Sequence, residues 1–196
     1  MKRVLDIILT VIAAPVAVPV AVGVALAIYL KMGRPILFAQ QRAGRGGKPF
    51  TLYKFRTMVN DNPTVWDPSQ DRHRLTPLGK TLRRWSIDEI PQLWNVFVGD
   101  MSWVGPRPLP LQYLPRYSER QAKRHDVLPG ITGWAQVNGR NSARWPDRLE
   151  MDVWYAENRS IATDLSILWR TVKRVLSGEG VNAADAATMT EFQGER

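Results

Sequence analysis

The residues best placed for chemistry are two adjacent carboxylates, Asp88 and Glu89, in the stretch RRWSIDEIPQLWNVFVGDMSWVGPRP from Arg83 to Pro108. Two arginines precede them, and Arg107 follows between two prolines. An ionised carboxylate beside guanidinium groups can bind Mg²⁺ or attack phosphorus. It can equally be one half of a salt bridge on a well-capped helix. Ser86 and Glu89 have the S-x-x-E spacing of a capping box, and Pro91 is tolerated only near a helix start. The spacing therefore predicts that both carboxylates lie in the first turn of a helix, where the dipole lowers a carboxylate pKa.

Several elements must position this pair. Pro35 to Gln41 and Phe50 to Met58 read as two strands joined by the Gly-rich basic turn RAGRGGK, so a β-hairpin is predicted. Lys54 and Arg56 share a strand face by the period of two. They can hold phosphate or form a solvated basic face. Thr76-Pro77 predicts an N-cap and first helical position. Ser118 to His125, Pro146 to Asn158 and Ile161 to Leu176 read as further helices. In the last of these, Leu165, Leu168, Trp169, Val172 and Leu176 recur at helical spacing. That face suits core packing or membrane contact. Leu128 to Arg140, LPGITGWAQVNGR, carries three glycines that permit close backbone approach to a ligand.

From Ile7 to Leu30 no residue is charged. A straight helix of that length covers about 36 Å, enough to cross a bilayer. Pro15 and Pro19 lie mid-run and predict a bend. Lys2 and Arg3 precede the run, while Lys31, Arg34, Arg42 and Arg45 follow it. Basic flanks on both sides favour a re-entrant helix over a kinked span, because positive flanks stay on the cytoplasmic side. Asp6, at the edge of the run, is expected to pair with Arg3 one turn away. The organisation expected is a re-entrant membrane helix over 1–32, a catalytic domain over 33–180 and a tail over 181–196. The fold class expected is α+β, a mainly helical small domain with a β-hairpin.

The chain has no cysteine, which excludes disulfides and thiolate zinc sites. A formal net charge of +9 points to anionic partners. A membrane-anchored basic module for acidic lipid or nucleic acid fits that charge and the eight tryptophans. It does not account for an acidic pair set among arginines.

Four motifs carry a more specific signal: YKFRTM at Tyr53 to Met58, SIDEIPQLWNV at Ser86 to Val96, GDMSWVGPRP at Gly99 to Pro108, and PGITGWAQVNGRN at Pro129 to Asn141. With the proline-broken N-terminal helix, the chain resembles the monotopic phosphoglycosyl transferases. These are the bacterial sugar transferases that start glycan assembly on polyprenol carriers. The resemblance implies transfer of a sugar 1-phosphate from a UDP-sugar to undecaprenyl phosphate, with Mg²⁺, at the cytoplasmic face of the bacterial inner membrane. No nucleic-acid partner is then expected. It implies Asp88 as covalent nucleophile and metal ligand, and Glu89 as its assistant. Lys54, Arg83, Arg107 and Arg140 are implied phosphate contacts, and Asp164 falls at a familiar acidic position in the last helix. Many members have Ser-Pro at the membrane break, where this chain has Val18-Pro19. The tail ATMTEFQG, Ala187 to Gly194, resembles those of members that use UDP-diacetamido-trideoxyhexose donors.

Overall fold

The computed structural model describes residues 1–59, 74–139, 144–177 and 191–194. Helix α1, Lys2–Met32, continues through Pro15 and Pro19 without ending at either. Its apolar residues face outward along most of its length: Val11, Ile12, Val16, Val18 and Val22 are all exposed. An 18-residue stretch within it has a mean hydropathy of 2.5, and the helix is long and apolar enough to cross a membrane. Both of its ends are fixed to the globular part. At the N-terminal end, Lys2 Nζ pairs with Asp164 Oδ2 at 2.6 Å, and the Arg3 guanidinium donates to the carbonyls of Val96 and Phe97. Asp6 does not pair with Arg3. It accepts from Ser102 Oγ at 2.8 Å and Trp103 N at 3.0 Å instead, while Arg3 satisfies carbonyls at a helix C-terminus, where a cation is favoured. At the other end, Ile28 is buried against Phe55 and Leu82.

Strands β1, Leu37–Ala43, and β2, Pro49–Phe55, form the predicted antiparallel hairpin, with Leu37 opposite Phe55 and Arg42 opposite Phe50. Because β2 ends at Phe55, Arg56 no longer follows the strand period. Its buried guanidinium bonds the carbonyls of Met32, Gly33 and Arg34. It closes the C-terminus of α1, so neither alternative read for that strand face, phosphate binding or a solvated basic face, applies to Arg56.

Helix α2, Pro77–Arg84, starts as predicted: the Thr76 side chain accepts from Gly79 N, with Pro77 at the first position. Gly79 is needed there, since a Cβ would sit 2.0 Å from the Thr57 carbonyl oxygen. A 3₁₀ turn, Ile87–Glu89, leads to helix α3, Gln92–Val98. Fully buried Asn95 ties α3 to the hairpin, donating to Thr51 O at 2.7 Å and accepting from Tyr53 N at 3.2 Å. Each bond answers an otherwise buried polar group.

Two short parallel strands were not foreseen: β3, Ser102–Val104, and β4, Gly130–Thr132. They correct the reading of the second glycine cluster. A Cβ on Gly130 would lie 2.1 Å from Gly105 N, and one on Gly133 would lie 2.2 Å from Gly105 O. These glycines admit a neighbouring backbone rather than a ligand. The remaining helices are α4, Glu119–Ala122, with a Ser118–Gln121 capping box, then α5, Trp134–Asn138, α6, Trp145–Glu157, and α7, Ile161–Ser177. The core of this half joins Val104, Val127, Val137, Tyr155 and Ile167. On α7 the inward side is Asp164 and Ile167, while Leu165, Trp169, Val172 and Leu176 are exposed. From the tail, Phe192 is buried against Tyr113 and packs with Tyr117 and Trp145. The long polar loop after Val59, Arg140 and most of the tail lie outside the described residues.

Candidate active site

The acidic pair sits in the 3₁₀ turn between α2 and α3. Ile87 and Ile90, three residues apart, pack into the cluster of Ile28, Phe55 and Leu82. Residues at that spacing eclipse in a 3₁₀ turn, so the two isoleucines anchor one side of it. Ser86 enters the turn in the left-handed region, with φ 54° and ψ 21°, and its side chain makes no capping bond. The expected capping box is therefore absent. Glu89 has stronger partners: its Oε1 accepts from Lys54 Nζ at 2.6 Å and Arg107 Nη2 at 2.9 Å. A charge-assisted bond is about twice as strong as a neutral one, which decides where this side chain goes.

The two carboxylates differ electrostatically. Burial pushes Glu89 up, but the adjacent Lys54 and Arg107 outweigh it and hold the carboxyl at about 2. Asp88 is buried at 7% exposure. Burial, followed by the negative charge of Glu89, raises its pKa against the pull of Lys54, Arg83 and Arg107. This corrects the expectation that the helix start lowers it, since desolvation and a like charge prevail. Burial also depresses Lys54, despite Glu89.

Four of the sequence-predicted site residues thus converge on Asp88: Glu89, Lys54, Arg83 and Arg107. Lys54 is delivered by β2. Arg83 comes from the last turn of α2 and donates from Nε to Thr57 Oγ1 at 3.0 Å. Arg107 is held through its backbone, where its carbonyl accepts from Arg124 Nη2 at 2.7 Å. Arg124 is in turn fixed by a buried ion pair with Asp152, also at 2.7 Å. Arg140 lies outside the described residues. Asp164 does not join the cluster: it is bonded to Lys2 and, at 2.6 Å, to the Tyr155 hydroxyl. It anchors the start of α1.

Two basic residues near Arg107 escaped sequence reasoning as site candidates. Arg42 registered only as part of a basic flank, and Arg148 was not singled out within its helix. The charge of Arg107 contributes to lowering both.

No group of three or more His, Cys, Asp or Glu is arranged for a metal among the described residues. A cation that uses one or two carboxylates and completes its shell with substrate phosphate and water still fits Asp88. Glu89 is already engaged by two cations. Chemically, the arrangement offers one restrained carboxylate, one buried carboxylate whose charge is poorly compensated, and a surround of cations able to receive phosphate.

A family model described as bacterial sugar transferase matches residues 1–178. A protein of Bacillus subtilis (strain 168) named "Uncharacterized sugar transferase EpsL" is 46% identical over 99% of this chain and 96% of its own length. A UDP-glucose:undecaprenyl-phosphate glucose-1-phosphate transferase of Caulobacter vibrioides is 40% identical over 90% of this chain and 70% of its own length. An undecaprenyl-phosphate galactose phosphotransferase of Salmonella typhimurium is 38% identical over 76% of this chain, which spans 35% of that longer protein.

Proposed function

The chain belongs to the bacterial sugar transferase family, and from that premise we propose that it transfers a sugar 1-phosphate from a UDP-sugar to undecaprenyl phosphate. The products are a polyprenyl-diphosphate-sugar and UMP. The names of the relatives support this reaction. The observation that carries it to particular residues is the asymmetry of the acidic pair: Glu89 is locked by Lys54 and Arg107, whereas Asp88 is buried with its charge only partly offset.

Asp88 is the nucleophile. Its carboxylate oxygen forms a bond to the sugar-bearing phosphorus as the bond from that phosphorus to the UMP oxygen breaks. An oxygen of the acceptor phosphate then attacks the same phosphorus and releases Asp88. Two displacements at one site let a soluble donor and a membrane-bound acceptor use it in turn. Lys54, Arg83 and Arg107 offset the phosphate charge that would otherwise repel a carboxylate. Glu89 keeps Lys54 and Arg107 in place and assists the acceptor step. Arg140 is carried into the phosphate-binding set by the resemblance. Asp88 would hold Mg²⁺ together with the donor phosphates, and the ion would supply further neutralisation of charge on the reacting phosphoryl group.

The location proposed is the cytoplasmic face of a bacterial inner membrane, with α1 entering and returning on one side. Contacts at both ends of α1 support this. Lys2, Arg3 and Asp6 bond to the same globular part that receives Ile28 and the carbonyls near Met32. A helix crossing the bilayer would separate these ends by its hydrocarbon core, about 30 Å thick.

The reaction is tested with the full chain, undecaprenyl phosphate, Mg²⁺ and a panel of UDP-sugars that includes UDP-diacetamido-trideoxyhexose. UMP release beyond one equivalent per enzyme that requires the polyprenyl phosphate and favours one donor is expected. UMP release with none of them would refute the activity.

A further inference from the structure

We propose that Gln92 holds the phosphoryl group that is transferred, donating from its carboxamide to a phosphoryl oxygen. Gln92 is the first residue of α3, three positions after Glu89 and four after Asp88. The chain reaches it through hydrogen bonds that span three residues: Glu89 N donates to Ser86 O, Ile90 N to Ile87 O, Leu93 N to Ile90 O and Trp94 N to Pro91 O. Residues three apart eclipse on such a path and stay neighbours on the α-helix that follows. Glu89, Gln92 and Asn95 therefore form one row of polar side chains.

That row faces β2. At one end, Glu89 accepts from Lys54 Nζ at 2.6 Å. At the other, Asn95 accepts from Tyr53 N and donates to Thr51 O. Gln92 stands between these contacts and is only 3% exposed. Both of its neighbours in the row are matched by β2, yet the Gln92 side chain makes no hydrogen bond among the described residues. Buried polar groups are as a rule hydrogen-bonded, and one left unmatched costs more than a made bond returns. An apolar side chain of the same size would fill the place without that cost. The carboxamide thus has a partner to gain from outside the chain.

A phosphoryl oxygen fits that part. The carboxamide presents two N–H donors about one helical turn from the nucleophile. Lys54 and Arg107 are both bonded to Glu89 already. A neutral donor held by the fold can meet charge on the non-bridging oxygens without adding a further cation that competes for Glu89. The choice of ligand rests on the reading that the chain transfers a sugar phosphate.

The test uses the full chain in detergent and Gln92→Met, which keeps the length of the side chain but not its donors. Without ligand, the variant should unfold at or above the wild-type temperature, because no bond within the protein is lost. Earlier unfolding, or failure to fold, would show that the carboxamide serves the fold and would overturn the proposal. Calorimetric titration with Mg²⁺ then compares UDP, which carries the phosphate that bears the sugar, with UMP, which lacks it. Gln92→Met should bind UDP about tenfold or more weakly than wild type and UMP as wild type does. Unchanged affinity for UDP, or an equal loss for UMP, would overturn the contact, as would a wild-type chain that binds neither. Covalent labelling of Asp88 is scored separately. Its absence, with UDP binding still dependent on Gln92, sinks the two-step reaction and leaves the contact standing.

Discussion

Glu89 and Asp88 are neighbours in sequence but opposites in environment. Glu89 exchanges water for two cations, and Asp88 exchanges water for a buried position beside a like charge. Only the ionised form of Asp88 can attack. Adduct formation should therefore fall as pH drops through a pKa above the ordinary aspartate value. Glu89→Gln removes the negative neighbour and leaves Lys54 and Arg107 uncompensated. Both effects favour ionised Asp88, so the acid limb of single-turnover adduct formation should move to lower pH. A limb that stays in place or moves up would show that Glu89 does not tune Asp88. The pair stood out in the sequence only with the other motifs beside it, since two carboxylates among arginines can equally be salt-bridged on a helix. Its tuning was not legible there. The S-x-x-E spacing suggested a local cap, but partners distant in sequence, Lys54 and Arg107, offered Glu89 stronger bonds.

Elements defined by local chemistry were legible: the hairpin with its Gly-rich turn, the Thr76-Pro77 helix start, and the periodic helices near the C-terminus. The strands β3 and β4 were not, because three residues each give no period, and their pairing depends on contacts between distant segments. The second glycine cluster belongs to that pairing. Gly130→Ala would force a Cβ to within 2.1 Å of a backbone nitrogen that has no room to retreat. It should destabilise the protein by about 3 kcal/mol or prevent folding. Gly23→Ala, where nothing lies within 4 Å, serves as the control. Equal unfolding temperatures for the two variants would disprove the close approach of β3 and β4.

At the scale of the molecule, α1 is both anchor and scaffold. Its middle is exposed and apolar, while its ends brace the two sides of the site: Ile28 supports the turn that bears Asp88, and Asp6 holds β3. Exposed Trp94 and Phe97 on α3 and Leu165 and Trp169 on α7 extend the apolar surface near the start of α1. Arg3 reaches the end of α3 and Lys2 the first turn of α7. This distribution suits a protein that associates with a membrane. A cysteine inserted after Met1, and separately Lys31→Cys, should both resist an impermeant thiol reagent in intact cells and both react after lysis. Labelling of only the first in intact cells would mean that α1 crosses the membrane.

The covalent step is tested most directly by intact-protein mass spectrometry with peptide mapping, after incubation of the full chain with its UDP-sugar and Mg²⁺ but no acceptor. One sugar phosphate should appear on wild type, map to Asp88, be absent from Asp88→Asn and discharge when undecaprenyl phosphate is added. An adduct that persists in Asp88→Asn, or that maps to Glu89, would contradict the assignment.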